Sequence, residues 1–248
     1  MLKVGVLTPH AAPGPEVELP EMASAGLEVE LARVSRRGGP PSAADELRQL
    51  ATPAALRPAV SSLRASAVDV VAYASTTSGY AIGQPAEAGL VEDLRRAAGV
   101  PVVSSGLAAV QALTAFGIRR VALIHPPWFE AAVSALGARY FGEQGIEAIT
   151  FDATPLPKDP GLVRSQQVVD YVSDQVDSST EAVFIAGNGF RAAAAIEELE
   201  RRTGQLVLEA NQLLLWASLA ATGAKLQVGG YGRLFALKGA DRPPSAAH

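Results

Sequence analysis

Residues 75–80 read Ser-Thr-Thr-Ser-Gly-Tyr, four hydroxyls crowded onto the turn that follows the apolar run VDVVAYA. Backbone N–H groups at a strand-to-helix turn point outward, and hydroxyls beside them make a cradle. Such a cradle suits a carboxylate, or the oxyanion formed when a carboxylate becomes an enediolate. The plainer reading is that Ser and Thr cap the next helix, but one cap does not need four hydroxyls. A second turn, FIAGNGFRAA at 184–193, sets Asn188 between Gly187 and Gly189. Either its amide donates to a bound carboxylate, or Asn188 only adopts the left-handed conformation such turns require.

His10 and His125 follow two further apolar runs, where an imidazole can serve as acid, base or carboxylate donor, or be an ordinary loop residue. Tyr80, Trp128, Phe129 and Phe190 either line an apolar pocket or belong to the core. Glu16 and Glu18, in the Pro-rich stretch 11–20, read as solvated charges of a lid. Glu209, beside Asn211 and Gln212, faces either the site or a subunit contact.

The chain has no cysteine, which removes disulfides, thiolate metal sites and thiol nucleophiles together. His10, His125 and His248 lack the spacing of a zinc site, so no metal is expected. No GxGxxG follows a strand, and P-loop, GxSxG and HExxH motifs are absent, which disfavours nucleotide cofactors; none is expected. A net charge of −4 with dispersed basic residues argues against nucleic acid. Neither a signal-peptide core nor a membrane-length apolar run is present, so a cytoplasmic protein without a membrane partner is expected, as a monomer or homodimer.

Short apolar runs alternate with Ala- and Leu-rich segments placed at 42–66, 84–98, 106–117, 129–144, 160–177, 190–203 and 211–222. This alternation predicts an α/β fold with parallel strands and helices on both faces. Three pairs of segments recur in the same order: VGVLTPH with VALIHPP, VDVVAYASTTSG with TEAVFIAGNGF, and GVPVVSSGLAAVQAL with GQLVLEANQLLLWASL. The chain reads as two pseudo-symmetric Rossmann-like halves, 1–105 plus 209–237 and 106–208, with a tail at 238–248 expected to be disordered. Thr8, Pro9 and His10 correspond to His125, Pro126 and Pro127, and Ser75-Thr76-Thr77 to Asn188-Gly189-Phe190. These loops follow strand carboxyl ends, the usual ligand position in open sheets, and are expected to bracket a cleft between the halves.

The duplicated layout, the stretch GVPVVSSGLAAVQALTAFGIRRVAL, the AGNGF and IEELE segments, ANQLLLWASL and the terminal GGYGRLF together resemble the aspartate/glutamate racemase superfamily, in its maleate cis–trans isomerase and arylmalonate decarboxylase branch. The similarity spans about residues 2–237. The resemblance implies a cofactor-independent enzyme using one or two cysteines at equivalent strand ends, with neighbouring hydroxyls and amides holding the carboxylate. Carried over by motif, the two thiol positions fall on Ser75 and Asn188, and the hydroxyl pair on Thr76 and Thr77. Ser75, Asn188, His10 and His125 are therefore the catalytic candidates. Thr76, Thr77, Gly189, Tyr80, Trp128 and Phe190 are the substrate-binding ones.

Neither Ser nor Asn titrates near neutrality, so paired thiol acid–base chemistry does not transfer. What remains expected is lyase chemistry of the decarboxylase kind, or isomerase chemistry, on a small carboxylate or dicarboxylate without cysteine. The alternative is a carboxylate-binding or regulatory pseudoenzyme of the same fold.

Overall fold

The computed structural model describes residues 1–9, 13–23, 25–34 and 44–237. Two four-stranded parallel sheets carry the fold. The first is ordered β2-β1-β3-β4, with β1 (Leu2–Thr8), β2 (Leu27–Arg33), β3 (Val70–Tyr73) and β4 (Val102–Ser104). The second repeats that order as β6-β5-β7-β8, with β5 (Arg120–Ile124), β6 (Glu147–Thr150), β7 (Ala182–Ile185) and β8 (Leu206–Glu209). β1, β3, β5, β7 and β8 are almost wholly buried because helices cover both faces of each sheet, which is why they read as unbroken apolar runs.

Ten α-helices occur among the described residues: α1 (Pro15–Ala23), α2 (Ala44–Leu50), α3 (Pro53–Ala65), α4 (Thr76–Ile82), α5 (Gln84–Ala98), α6 (Ser105–Ala115), α7 (Ala131–Gly142), α8 (Ser165–Gln175), α9 (Ile196–Thr203) and α10 (Ala210–Thr222). None of them is long and apolar enough to cross a membrane. α10 is buried nearly all round, as its sequence ANQLLLWASLAAT demands. It leaves β8 in the second sheet and packs against β3 and β4 of the first sheet and against α6, so it spans the two sheets. One core cluster likewise takes Val4, Val6, Val70 and Ala72 from the first sheet with Ala122, Ile124, Val183 and Ile185 from the second.

Several helix boundaries differ from the sequence expectation. The segment 42–66 is two helices: Thr52 accepts from the Ala55 N–H as an N-cap, and Pro53 starts α3 because it has no N–H to offer a preceding turn. Its expected start at residues 42–43 lies outside the described residues, as do His10 and the tail. The Pro-rich stretch contains α1, started by Pro15 and by acceptance of the Val17 N–H by the Gly14 carbonyl. A short α4 begins directly after Ser75.

Strand register also shifts one correspondence. Val4 pairs with Val70, and its counterpart Val121 pairs with Ala182. Counting on from those pairs matches Thr8 with His125, as expected, but Thr76 rather than Ser75 with Asn188. The turn residues alone suggested the other alignment, whereas the ladder fixes which residue leaves the sheet at the same height.

Candidate functional site

Four strand ends meet around the side chain of Asn188. Thr76 is the first residue of α4 after β3, and Ser105 the first of α6 after β4. Asn188 follows β7 through Gly187, and Asn211 lies in the first turn of α10 after β8. The left-handed backbone at this turn is at Gly187, with φ 93°, and at Arg191, with φ 60°, so Asn188 is not there to supply it. Its side chain does the linking instead.

Asn188 Oδ1 accepts from the Thr76 N–H at 3.3 Å, the Thr76 hydroxyl at 3.0 Å and the Ser105 hydroxyl at 3.1 Å. Its Nδ2 donates to Asn211 Oδ1 at 2.9 Å. Asn211 Nδ2 in turn donates to Glu18 Oε2 at 2.6 Å and to the Asn188 carbonyl at 3.0 Å. The polarity of this chain is set from both ends, because a backbone N–H can only donate and a carboxylate oxygen accepts. Gly14 closes over the turn so tightly that a Cβ there would collide with the Asn188 carbonyl oxygen. Thr76, Ser105, Asn188 and Asn211 are all buried.

Glu18 is not the solvated lid charge its loop-like sequence suggests. It is 3% exposed, and its second oxygen accepts from the Ala193 N–H at 2.9 Å, across the two halves. Glu16, its side chain 17% exposed, is not a free solvated charge either: it pairs with Arg33 at 2.6 Å and accepts from the Gly14 N–H at 2.9 Å. Glu209 is fully buried as the N-cap of α10, with Oε2 accepting from Asn211 and Gln212 N–H and Oε1 without a partner among the described residues. Burial pushes Glu18 up to about 7, against the pull of Asn211, the Ala193 N–H and Arg191. Burial and then the neighbouring Glu18 charge raise Glu209 well above the carboxylate range. Glu87, in α5, is also fully buried and pushed up to about 7 by burial, against Tyr140, Ser104 and the Gly106 N–H.

These carboxyls set an unusual pH dependence. An acid whose folded pKa exceeds its unfolded value near 4.5 contributes stability that is full below 4.5 and lost as pH rises through about 7. His125, pushed down to about 4 by burial, acts in the opposite sense between about 4 and 6.5, and roughly offsets Glu87 there. Glu198, held at about 2 by Arg201 and Arg202, titrates below this window. The Glu18–Glu209 pair is left over. Urea unfolding is therefore expected to show stability falling from pH 5 to pH 7 by on the order of 1 kcal/mol per pH unit. Glu18→Gln should flatten that slope, and a stability that rises over the same interval would refute the assignment.

His125 does not join the site. Its ring stacks on Phe129 at 5.3 Å and meets the edge of Tyr80 at 6.2 Å, and neither ring nitrogen has a partner among the described residues. A neutral imidazole in an apolar cluster is a poor proton carrier near neutrality. His125→Leu is expected to keep stability at pH 7 within about 1 kcal/mol of the parent, since it removes two unsatisfied buried nitrogens; a larger loss by chemical denaturation would mean that the ring is held by something other than packing.

Tyr80 belongs to the core cluster that also holds Phe129, on which His125 stacks, with its ring against Gly137. Trp128 and Phe190 pack edge to face at 6.0 Å beside Gly189, with Phe190 in the core. Ser75 bonds to the Ser78 hydroxyl at 2.8 Å rather than to the Asn188 network, and Thr77 is buried one residue beyond the cradle. Among the described residues, Thr76 and Asn188 are the sequence candidates joined to each other by hydrogen bonds, whereas Tyr80 with His125 and Trp128 with Phe190 meet only as ring contacts. Ser105, Asn211 and Glu18 complete the network, and Ser105 and Asn211 could have been read from the third repeated pair, where both follow a strand end. Among the described residues no group of three or more His, Asp or Glu could hold a metal ion.

Residues 54–235 match the arylmalonate decarboxylase family profile. The chain belongs to that family. An arylmalonate decarboxylase of Bordetella bronchiseptica is 28% identical over 181 residues, covering 67% of this chain and 70% of that protein. The fold is also that of solved structures: unliganded arylmalonate decarboxylase, with a TM-score of 0.80 and 21% identity over 95% of this chain and 99% of the other. A Nocardia farcinica maleate cis-trans isomerase bound to TRIS gives 0.81 at 19% identity, over 94% and 97%. The expected branch of the superfamily is thus borne out. At the position that the resemblance gives to its second thiol, this arylmalonate decarboxylase family member carries Asn188, already held by three donors.

Proposed function

We propose that the chain is a cofactor-independent enzyme acting on a small carboxylate of the malonate type, by decarboxylase-like chemistry that uses no cysteine. The observation that carries this reading is the convergence of the Thr76 N–H, the Thr76 hydroxyl and the Ser105 hydroxyl on a single oxygen. Three donors aimed at one point, inside a buried site, are what a developing oxyanion needs. The Asn188 amide oxygen marks where that oxyanion would sit, and a substrate carboxylate reaches the donors by displacing it.

In decarboxylation the bond from Cα to the departing carboxylate breaks, its electron pair enters the retained carboxyl group as an enediolate, and CO₂ leaves. The donors stabilise that charge, and a proton then adds to Cα. The substrate's own carboxyl receives the electron pair, so the step calls on neither a metal nor an organic cofactor. Glu18 and Glu209, whose proton affinity burial raises, belong to the same hydrogen-bonded network.

One observation favours the alternative of a carboxylate-binding pseudoenzyme: the donors are satisfied internally, and no titratable side chain touches the Asn188 oxygen among the described hydrogen bonds. A panel of substituted malonates and maleate in D₂O, followed by proton NMR, separates the readings. CO₂ loss with deuterium placed at Cα supports the enzyme. Thermal stabilisation by the same compounds without turnover supports the binding protein, and neither effect sinks the carboxylate assignment altogether.

A further inference from the structure

A third buried carboxyl lies behind the cradle. Glu87 sits in the first turn of α5, and its Oε2 accepts from the Tyr140 hydroxyl at 2.5 Å. Tyr140 belongs to α7, packed on β5 and β6, and Glu87 to α5, packed on β4, so this bond joins elements of the two sheets. The carboxyl is wedged between two glycines. A Cβ at Gly79 would lie 2.8 Å from Glu87 Oε2, and one at Gly106 would lie 2.6 Å from it and 2.8 Å from the Tyr140 hydroxyl. Real Cβ atoms do not approach so closely, so any larger residue at either position would force the carboxyl to move from where it sits.

The location of those glycines gives the wedge its meaning. Gly79 is in α4, one turn after Thr76, and Gly106 directly follows Ser105 in α6. The two helices that Glu87 separates are therefore the two whose first residues supply the donors to Asn188. A third contact supports the same frame: the Tyr80 ring from α4 lies where a Cβ at Gly137 in α7 would be, 2.7 Å from its edge.

We propose that Glu87 is a positioning residue for the donor set: its carboxyl, held by Tyr140, fixes the spacing of α4 and α6 and hence the convergence of Thr76 and Ser105 on one oxygen. The inference rests on reading those groups as oxyanion donors, but its geometric content stands apart from turnover. The Tyr140 hydroxyl keeps its proton, its pKa raised by burial and by the Glu87 charge, so it stays a donor to the carboxyl. A residue serving packing alone would need neither a cross-half hydrogen bond nor two glycines cleared for it.

The test uses the full chain, labelled with ¹⁵N, as Glu87→Ala, Glu87→Gln and Tyr140→Phe, with Leu90→Ala as a control for loss of buried volume in the same helix. In Glu87→Ala and Tyr140→Phe the Thr76 amide resonance is expected to shift and its exchange protection to fall by about tenfold. Malonate affinity, measured by titration, should weaken by about tenfold, which corresponds to 1.4 kcal/mol. Glu87→Gln, whose amide oxygen can still accept from Tyr140, should stay close to the parent in both readouts, and Leu90→Ala should lower the melting temperature without moving Thr76. Unchanged Thr76 resonances in both Glu87→Ala and Tyr140→Phe, or a Leu90→Ala effect of equal size, would overturn the proposal. Should Glu87→Ala fail to fold, Tyr140→Phe and Glu87→Gln carry the comparison. A parent chain that does not bind malonate would overturn the functional reading alone, because the Thr76 amide still reports on Glu87.

Discussion

Replacing Asn188 with alanine is expected to lower folding stability by about 3–5 kcal/mol and, at the same time, to raise affinity for a small carboxylate. The loss follows from what the amide leaves behind. Three donors at Thr76 and Ser105 and one acceptor at Asn211 lose their partner inside a buried site. An unsatisfied buried polar group costs roughly 1–3 kcal/mol, and water entering the vacated polar space recovers only part of the total. The gain in affinity has the same origin, because a ligand oxygen no longer has to displace the amide oxygen. Malonate at a hundred times its dissociation constant should then restore about 2.7 kcal/mol to the variant. Urea unfolding of parent and Asn188→Ala, each with and without malonate, measures both effects. Equal stabilisation of the two proteins, or a loss below about 1 kcal/mol, would show that Asn188 does not occupy the ligand's place.

The contrast between Asn188 and Glu18 shows what sequence can and cannot reveal here. The two sheets were legible because strands buried on both faces read as apolar runs, and the duplication was legible because three segments recur in order. Thr76 and Asn188 stood out because polar residues follow those runs directly. Glu18 did not stand out, since it lies in a Pro-rich stretch whose helix, α1, even contains Pro20. Its burial depends on Ala193 and Asn211, which are 175 and 193 residues away in sequence. Local composition carries no trace of partners so distant. His125 failed in the opposite way: its position after β5 suggested chemistry, while its surroundings, Phe129 and Tyr80, come from a helix entrance and from the other half and make it a core residue. Ser105 and Asn211 lie between these cases: the third repeated pair places both just after a strand end, but their convergence on Asn188 depends on residues 83 and 23 positions away.

On the proposed decarboxylase chemistry, Thr76→Val should lower turnover of a malonate substrate by about 10²–10³ in kcat, with a much smaller change in KM. Valine keeps the branched shape and the backbone N–H, so the substitution removes one hydroxyl and little else. That hydroxyl is the closest of the three donors to the Asn188 oxygen, at 3.0 Å. The carboxylate of the bound substrate spreads its charge over two oxygens already, but the enediolate concentrates additional charge on the oxygen held in the cradle as the Cα bond breaks. A donor aimed there therefore strengthens as the reaction proceeds, and its loss falls on kcat more than on binding. The stability cost should stay near 1 kcal/mol, because Asn188 Oδ1 retains the Thr76 N–H and the Ser105 hydroxyl. Thr76→Ser restores a hydroxyl without the methyl group and should recover most of the rate. If Thr76→Val changed KM alone, the cradle would be a ground-state binding site, and the charge of the transition state would have to be met elsewhere in the chain.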